Sequence, residues 1–220
     1  MQIAIDGMKE NKRLPVSFYT REDVFAIARE LLGKELISYT GKQLSSGIII
    51  ETEAYNGVID RASHAFGDRR TRRTATMYRE GGIAYIYLCY GIHSLLNVVT
   101  NIENVPHAVL LRAIFPLKGQ EVMSERIGRL VSPTEGIGPG KVTKLLGINY
   151  KMDGEDLIRG NNIWIEDAGI FVPENIITHT TRIGVSYAKE DALLPYRFMV
   201  DPLILHDKNK KTFPLLEKSF

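Results

Sequence analysis

The chain has 220 residues and a formal net charge of only +2, from 28 lysines and arginines against 26 aspartates and glutamates. With 44% hydrophobic and 25% charged residues, its composition is that of a globular domain, which excludes disordered, collagen-like and membrane-spanning chains. The single cysteine, Cys89, cannot form an internal disulfide or a cysteine-rich zinc site, which excludes disulfide scaffolds, zinc fingers and zinc deaminases and indicates a reducing compartment.

The first predicted element is a helix over residues 21–32, with Thr20 and Asp23 as a capping pattern and Gly33 as its stop. The stretch before this helix lacks the apolar segment of a signal peptide, and no run approaches the roughly 20 apolar residues that span a bilayer. We therefore expect a cytoplasmic protein with no membrane partner.

The segment IIIETEAY is predicted to be a strand that places Ile49, Glu51, Glu53 and Tyr55 on one face. The two carboxylates would lie about 7 Å apart by strand rise. Three chemical uses are open: a glycosidase pair, two metal ligands, or one catalytic residue beside a structural one. A solvent-exposed sheet edge is the alternative, and the nearby aromatic residues and His64 argue against it.

The segment from Arg61 to Arg79 carries six arginines and one aspartate, a net charge of +5 that exceeds the charge of the whole chain. A solvated surface loop is the ordinary explanation of such a stretch. Arginine, however, binds phosphate oxygens in pairs through its planar guanidinium, so the stretch also suits a nucleic acid.

The segment IAYIYLCY is predicted to be a strand with Tyr85 and Tyr87 on one face, and LLNVV its hairpin partner. Tyr85 and Tyr87 could be ordinary strand tyrosines, or part of a stacking surface for an extruded base. Tyr90, beside Gly91 at the hairpin tip, is harder to explain without insertion into a partner, because an exposed ring leaves apolar surface in water. Cys89 is expected to pack as a small hydrophobic residue.

The rest of the chain is predicted to hold a strand, AVLLRAI, with Arg112 among apolar neighbours, and helices over residues 118–130 and 142–146. A glycine-rich turn with Lys141 precedes the second helix and is a weak phosphate-binding signal. Short strands are expected at residues 163–165, 182–187 and 196–200, Trp164 in the core, and a solvated tail at residues 208–211. One mixed α/β domain fits this order of elements.

Five blocks resemble the alkyladenine (3-methyladenine) DNA glycosylases of the methylpurine type, in the family's order: ETEAYNGVIDRASHAF, TRRTATMY, GGIAYIYLCYGIHSLLNVV, AVLLRAIFPLKG and GPGKVTKLLGI. Weaker matches follow at RIGVSYA and LPYRFMV. The resemblance implies a single compact α+β domain with a curved, mainly antiparallel sheet, surrounding helices and a protruding β-hairpin. It places an N-terminal extension at residues 1–15, the glycosylase domain at 16–206 and a C-terminal tail at 207–220.

The same resemblance implies a role for individual residues. Glu53 would be the general base, with Arg112 and the backbone at Val185 holding the hydrolytic water, and Glu51 would support them. The base pocket would be formed by Tyr55, His64, Tyr87 and Asn97. Tyr90 would intercalate into the duplex, with Ile92 and His93 in the minor groove beside it. Phosphate contacts are expected from Arg69, Arg70, Arg72, Arg73 and Lys141.

The implied activity is that of a monofunctional DNA glycosylase that flips alkylated purines out of double-stranded DNA and leaves an abasic site. No metal or cofactor is expected, and the protein is expected to act as a monomer. Two alternatives are a metal-dependent nuclease that uses Glu51, Glu53 and Asp60, and a non-catalytic protein that binds DNA lesions.

Overall fold

The computed structural model describes residues 12–209. Eight strands and five helices alternate irregularly along this part of the chain. In order they are α1 (Val16–Tyr19), α2 (Val24–Glu30), β1 (Glu35–Thr40), β2 (Gln43–Tyr55), β3 (Ala84–Cys89), β4 (His93–Thr100), β5 (His107–Lys118), α3 (Gln120–Ile127), α4 (Pro139–Leu146), β6 (Ile163–Glu166), β7 (Thr178–Thr180), β8 (Arg197–Met199) and α5 (Pro202–Lys208).

All eight strands belong to one curved antiparallel sheet. Six of them follow the order β3-β4-β5-β2-β1-β6, while β8 pairs with β2 and β7 pairs with β8. The predicted mixed α+β fold with an antiparallel sheet and a hairpin is confirmed. The hairpin is β3 and β4, at the edge of the sheet.

Strand β2 is the 13-residue centre of the sheet. One edge pairs with β5 along most of its length, and the other edge pairs first with β1 and then with β8. The β2–β5 register is irregular around Glu51, as at a β-bulge. The predicted alternation therefore holds only after this point: Ile49, expected on the face of the glutamates, is buried in the main core with Ile48 and Ile50.

The main core lies between one face of the sheet and helices α2, α3 and α4. Thr52 of β2 faces this side and donates a hydrogen bond to the Ala28 carbonyl of α2, 2.8 Å away. The side chains on either side of Thr52, Glu51 and Glu53, point to the opposite face of the sheet. Burial of apolar side chains on one face thus orients the carboxylates toward the other.

The start of the helix predicted at residues 21–32 is wrong by about one turn. Asp23 is the N-cap of α2 and accepts hydrogen bonds from the Phe25 and Ala26 amides, both at 2.9 Å. Thr20 instead ends α1, with its hydroxyl donating to the Val16 carbonyl. A carboxylate that satisfies two free amides caps the helix where it stands, so the helix begins after Asp23.

The other face of the sheet is covered by residues 56–81, which contain short 3₁₀ turns. This segment closes a second apolar cluster that includes Met77, Tyr78 and Tyr85. A third and smaller cluster joins Ala62 to Val185 and Ala188. The arginine-rich stretch is therefore a compact layer over the sheet with its backbone held by packed side chains.

The predictions for the C-terminal third are mixed. The strands at 163–165 and 196–200 are confirmed, but residues 182–187 form a turn that leads into a 3₁₀ segment, Ser186–Leu193. Positive φ at Gly184, +79°, prevents an extended strand there. Trp164 is only half-buried: its indole N–H donates to Glu166 at 2.7 Å, and Arg13 lies over its ring.

Both ends of the described chain contact the domain. Leu14 is buried in the main core, and the Arg13 side chain donates to the carbonyls of Ile158 and Gly160. Lys208 is the last residue of α5, and the remainder of the predicted solvated tail, from residue 210 on, lies outside the described residues. None of the helices within residues 12–209 has the length and apolar content needed to cross a bilayer.

Candidate active site

Glu53 is completely buried, at the point where β2 lies between β5 and β8. Its Oε2 accepts a hydrogen bond from the Tyr55 hydroxyl at 2.7 Å, and its Oε1 accepts one from the Ile183 amide at 2.8 Å. The Arg112 Nε lies 3.3 Å from the same Oε1. Two hydrogen bonds and the Arg112 charge fix the carboxylate, while each oxygen can accept more than one hydrogen bond and so keeps capacity for a water.

Burial raises the pKa of Glu53 above the ordinary value for glutamate, because the charged form loses its hydration. The negative charge of Glu51 raises it further, while Arg112, the Ile183 amide and the Tyr55 hydroxyl lower it. A carboxylate with a raised pKa is a stronger base than one in water, which is what activation of a water molecule requires.

Glu51 holds two arginines beside Glu53. Its Oε1 accepts from the Arg112 Nε at 2.8 Å and from the Arg197 Nη1 at 2.9 Å. Within residues 12–209, the two terminal nitrogens of Arg112 have no hydrogen-bond partner. Because Arg112 is held through Nε alone, its terminal N–H groups remain able to bind a water or a substrate oxygen.

Asp60 lies in a different network from the two glutamates. Both of its oxygens accept hydrogen bonds from the buried Arg182 guanidinium, one of them at 2.9 Å. That guanidinium also donates to the Ala54 carbonyl and lies 4.9 Å from the centre of the Tyr55 ring. Asp60 therefore fixes the chain around the site rather than joining a metal-ligand set, and no group of three potential ligand side chains occurs in the described part of the chain.

An aromatic cluster lies beside the carboxylates. His64 and Tyr87 make an edge contact with ring centres 4.6 Å apart, and Tyr85 lies 5.5 Å from Tyr87. Tyr55 is close enough to Tyr87 for their hydroxyls to interact electrostatically. Asn97, on the neighbouring strand β4, is buried and donates to the Tyr85 carbonyl at 3.2 Å.

His64 is neutral at physiological pH. Burial, followed by the positive charges of Arg73 and Arg69, lowers its pKa to about 4. An Arg73 nitrogen lies 3.3 Å from Nε2, and the Tyr85 hydroxyl lies 2.9 Å from Nδ1. Since a guanidinium only donates, Nε2 is the acceptor and Nδ1 carries the proton.

The tip of the β3–β4 hairpin presents apolar side chains to solvent. Tyr90 is 93% exposed and Ile92 is 72% exposed, and the neighbouring His93 is exposed as well. The Ile92 amide bonds to the Cys89 carbonyl, with positive φ at Tyr90 and Gly91, as in a type I′ turn. Large apolar groups displayed on a tight turn are typical of a contact surface. Cys89, predicted to be packed, is only partly buried.

The five predicted phosphate-binding residues are all exposed. The Arg73 guanidinium also lies over the Tyr87 ring, 4.9 Å from its centre. Arg70 is paired with Asp68 and lies over Tyr78. Lys141 is at the start of α4, in a groove of about 680 Å³ between this helix and the hairpin. The basic residues thus lie on both sides of the hairpin.

The structure brings together Glu53, Arg112, Tyr55, His64 and Tyr87. Val185 packs beside Tyr55, and its carbonyl accepts from the Ala188 amide at 2.8 Å. Sequence reasoning missed the Ile183 amide and the side chains of Arg182 and Arg197, all of which contact Glu53, Glu51 or Tyr55. Their only sequence signal was the weak match at RIGVSYA and LPYRFMV.

Residues 17–202 match the model of the family described as methylpurine-DNA glycosylase. A protein of Chlamydia felis is 45% identical over 190 residues, which cover 86% of this chain and 96% of the relative. Relatives from Bacillus subtilis and Bdellovibrio bacteriovorus are 44% and 42% identical, over 87% and 84% of this chain and 95% and 93% of their own lengths. All three carry the provisional name 3-methyladenine DNA glycosylase.

Proposed function

The chain belongs to the methylpurine-DNA glycosylase family and is therefore an N-glycosyl hydrolase that acts on DNA, and from this premise we propose that it releases alkylated purines by base flipping, without cutting the strand. The proposed substrates are 3-methyladenine and 7-methylguanine in double-stranded DNA, and the product is an abasic site. The observation that carries the proposal is the buried Glu53 carboxylate beside the terminal nitrogens of Arg112, which have no hydrogen-bond partner within residues 12–209.

Alkylation at N3 or N7 makes the purine cationic, so the base departs without being protonated. The enzyme then has to stabilise a cationic sugar and deliver water. Glu53 is placed to do both, as a negative charge near the developing cation and as a base worth about 10²- to 10⁴-fold. Arg112 and the backbone at Val185 would orient the water.

The aromatic cluster suits a cationic base. The electron-rich faces of Tyr55 and Tyr87 attract a cation by about 0.5 to 2 kcal/mol per contact. His64 is uncharged and does not repel the cation. A neutral purine such as hypoxanthine lacks this attraction and needs protonation of its leaving group, so its release is expected to be slower and more sensitive to pH.

Monofunctional chemistry is proposed because no amine nucleophile contacts the site within residues 12–209: the hydrogen bonds and ring contacts of Glu53, Tyr55 and Tyr87 include no lysine. Action as a monomer is proposed from the family resemblance.

The two alternatives have weaker support. A metal-dependent nuclease needs Glu51, Glu53 and Asp60 around one ion, whereas these carboxylates bind arginines in two separate networks. A protein that only binds lesions has no use for a buried carboxylate with a raised pKa, because burial of that charge is unfavourable for folding.

The first prediction concerns Glu53→Gln. With methylated DNA in EDTA, we expect wild type to release free purine and to leave strand breaks only after alkali treatment. Glu53→Gln keeps the size of the side chain but removes the base, so release should fall at least about 100-fold while lesion binding is retained.

Glu35→Gln is the matched control. Glu35, in β1, is also buried, but it pairs with Ser46 and Lys118 and lies away from the site. It should release purine at the wild-type rate. Wild-type rates in Glu53→Gln would show that the catalytic assignment is wrong. Direct strand cleavage that EDTA abolishes would instead support the nuclease.

A further inference from the structure

The base pocket contains a positive charge that belongs to the protein itself. The Arg73 guanidinium lies over the Tyr87 ring at 4.9 Å from its centre, and one of its nitrogens lies 3.3 Å from the His64 Nε2. Tyr87 and His64 are two of the four residues that form the proposed base pocket. Arg73 and a stacked base cannot occupy this position together.

The guanidinium is held by uncharged groups: the His64 ring, the face of Tyr87 and the Tyr85 hydroxyl. Arg73 is exposed, and within residues 12–209 it has no carboxylate at ion-pair distance, whereas Arg61 and Arg70 each pair with an acidic residue. Its backbone is fixed, because the adjacent Thr74 is buried and bonds to the Arg69 carbonyl. Because the backbone is fixed and no carboxylate within residues 12–209 holds the guanidinium, the Arg73 side chain can turn outward without unfolding of the segment.

We propose that Arg73 is an autoinhibitory residue that occupies the base site of the free protein and has to leave it before a purine enters. The proposal rests on the proposed function, since it assigns the base to the Tyr87 face. When Arg73 leaves, its cation–π contact with Tyr87 is lost. This cost is the same for every base, so it weakens the binding of cationic and neutral purines by the same factor.

Arg73 therefore sets a threshold that every purine has to pass. One cation–π contact corresponds to about a 2- to 30-fold difference in binding. Removal of the guanidinium should make entry easier for every base by a factor in this range and should leave the preference for charged bases unchanged.

The test compares Arg73→Gln with the control Arg79→Gln from the same arginine-rich stretch, whose parent side chain is exposed and donates to the Gly154 carbonyl. Binding of free 3-methyladenine, measured by calorimetry without DNA, should become about 2- to 30-fold tighter in Arg73→Gln and stay unchanged in Arg79→Gln. The ratio of the rates of release of 7-methylguanine and hypoxanthine from duplex DNA should be the same in wild type and in Arg73→Gln.

A second measurement shows where Arg73 lies in solution. Since the Arg73 charge contributes to the lowered pKa of His64, Arg73→Gln should raise the pKa from about 4 in an NMR titration of the imidazole. It should stay below 6.5, because burial is the larger cause. Arg79→Gln should leave this titration unchanged, because Arg79 is not among the charges that lower the pKa of His64.

Unchanged or weaker binding of 3-methyladenine by Arg73→Gln, or a changed ratio of release rates, would overturn the inference. If wild type releases purine from methylated DNA and Arg73→Gln shows neither tighter binding nor a raised His64 pKa, only the role of Arg73 is wrong. If wild type releases no purine at all, the proposed function itself fails, whatever the variants do.

Discussion

At the scale of single residues, Glu53 depends on the few groups that replace its lost hydration. Tyr55 is the one that can be altered with the least disturbance, because its hydroxyl donates to Oε2 while its ring packs under Arg182. Loss of that hydroxyl removes a donor that favours the charged carboxylate and leaves the packing in place.

The second prediction is that Tyr55→Phe moves the acid limb of kcat/KM to higher pH. The base has to be deprotonated, so activity is lost as the pH falls through the pKa of Glu53. Since the Tyr55 hydroxyl lowers this pKa, its removal raises it, and the loss begins at a higher pH. The measurement is a pH profile of purine release from methylated DNA.

Tyr85→Phe is the control for this profile, because the Tyr85 hydroxyl contacts His64 and not Glu53. Its acid limb should coincide with that of wild type. An acid limb that stays in place or moves to lower pH in Tyr55→Phe would contradict the assignment of Glu53 as the base.

The residues of the site differ in how far the sequence predicts them. Glu51, Glu53 and Tyr55 lie within one strand, so alternation alone puts them on one face. The Ile183 amide reaches Glu53 across 130 positions of the chain, through a turn whose glycine has positive φ. No local pattern encodes such a contact, and the same turn explains why the strand predicted at residues 182–187 is wrong.

At the scale of elements, the β3–β4 hairpin separates the exposed Tyr90 from the aromatic cluster beside Glu53. Tyr87 in β3 faces the aromatic cluster, while Tyr90, three residues further on, extends from the tip. The strand pattern predicts this arrangement, because the alternation of IAYIYLCY and the break at Gly91 are both local signals. The irregularity in β2 had no such signal, since it arises from pairing with two other strands.

The third prediction concerns Tyr90→Ala, which should weaken binding to lesion-containing duplex by about 5- to 150-fold, or about 1 to 3 kcal/mol for a lost stacking contact. Purine release from single-stranded methylated DNA should fall less, because there is no vacated stack to fill. Both can be measured with one lesion placed in duplex and in single strands.

Tyr39→Ala is a suitable control, because Tyr39 is also exposed, at 43%, but lies in β1, three strands from the hairpin. It should leave binding to the duplex unchanged. An equal loss of purine release on duplex and on single-stranded DNA for Tyr90→Ala would exclude intercalation of Tyr90 into the duplex.

At the scale of the whole molecule, a net charge of +2 conceals an uneven distribution. Several basic residues near the hairpin lack an ion-pair partner among residues 12–209, and these are the candidates for phosphate contacts: Arg69, Arg72, Arg73 and Lys141. Four contacts are few for a DNA-binding protein, so nonspecific binding should be weak and sensitive to salt.

The fourth prediction is a slope of about −3.6 in a plot of log K against log salt for undamaged duplex, which corresponds to about a 150-fold loss between about 50 and 200 mM salt. Replacement of both Arg69 and Arg72 by glutamine should make the slope shallower by about 1.8. Titration by fluorescence anisotropy at several salt concentrations measures both. A slope near zero would contradict a phosphate-binding role for this surface.

The position of β2 has a consequence for how the protein should lose activity on heating. Strand β2 is hydrogen-bonded on both edges, to β5 on one side and to β1 and β8 on the other, and its apolar face is buried under α2. A segment in this position opens only when the sheet itself separates. Glu51, Glu53 and Arg112 should therefore become disordered only on global unfolding, and any earlier loss of activity has to begin in the turns that carry the Ile183 amide and His64.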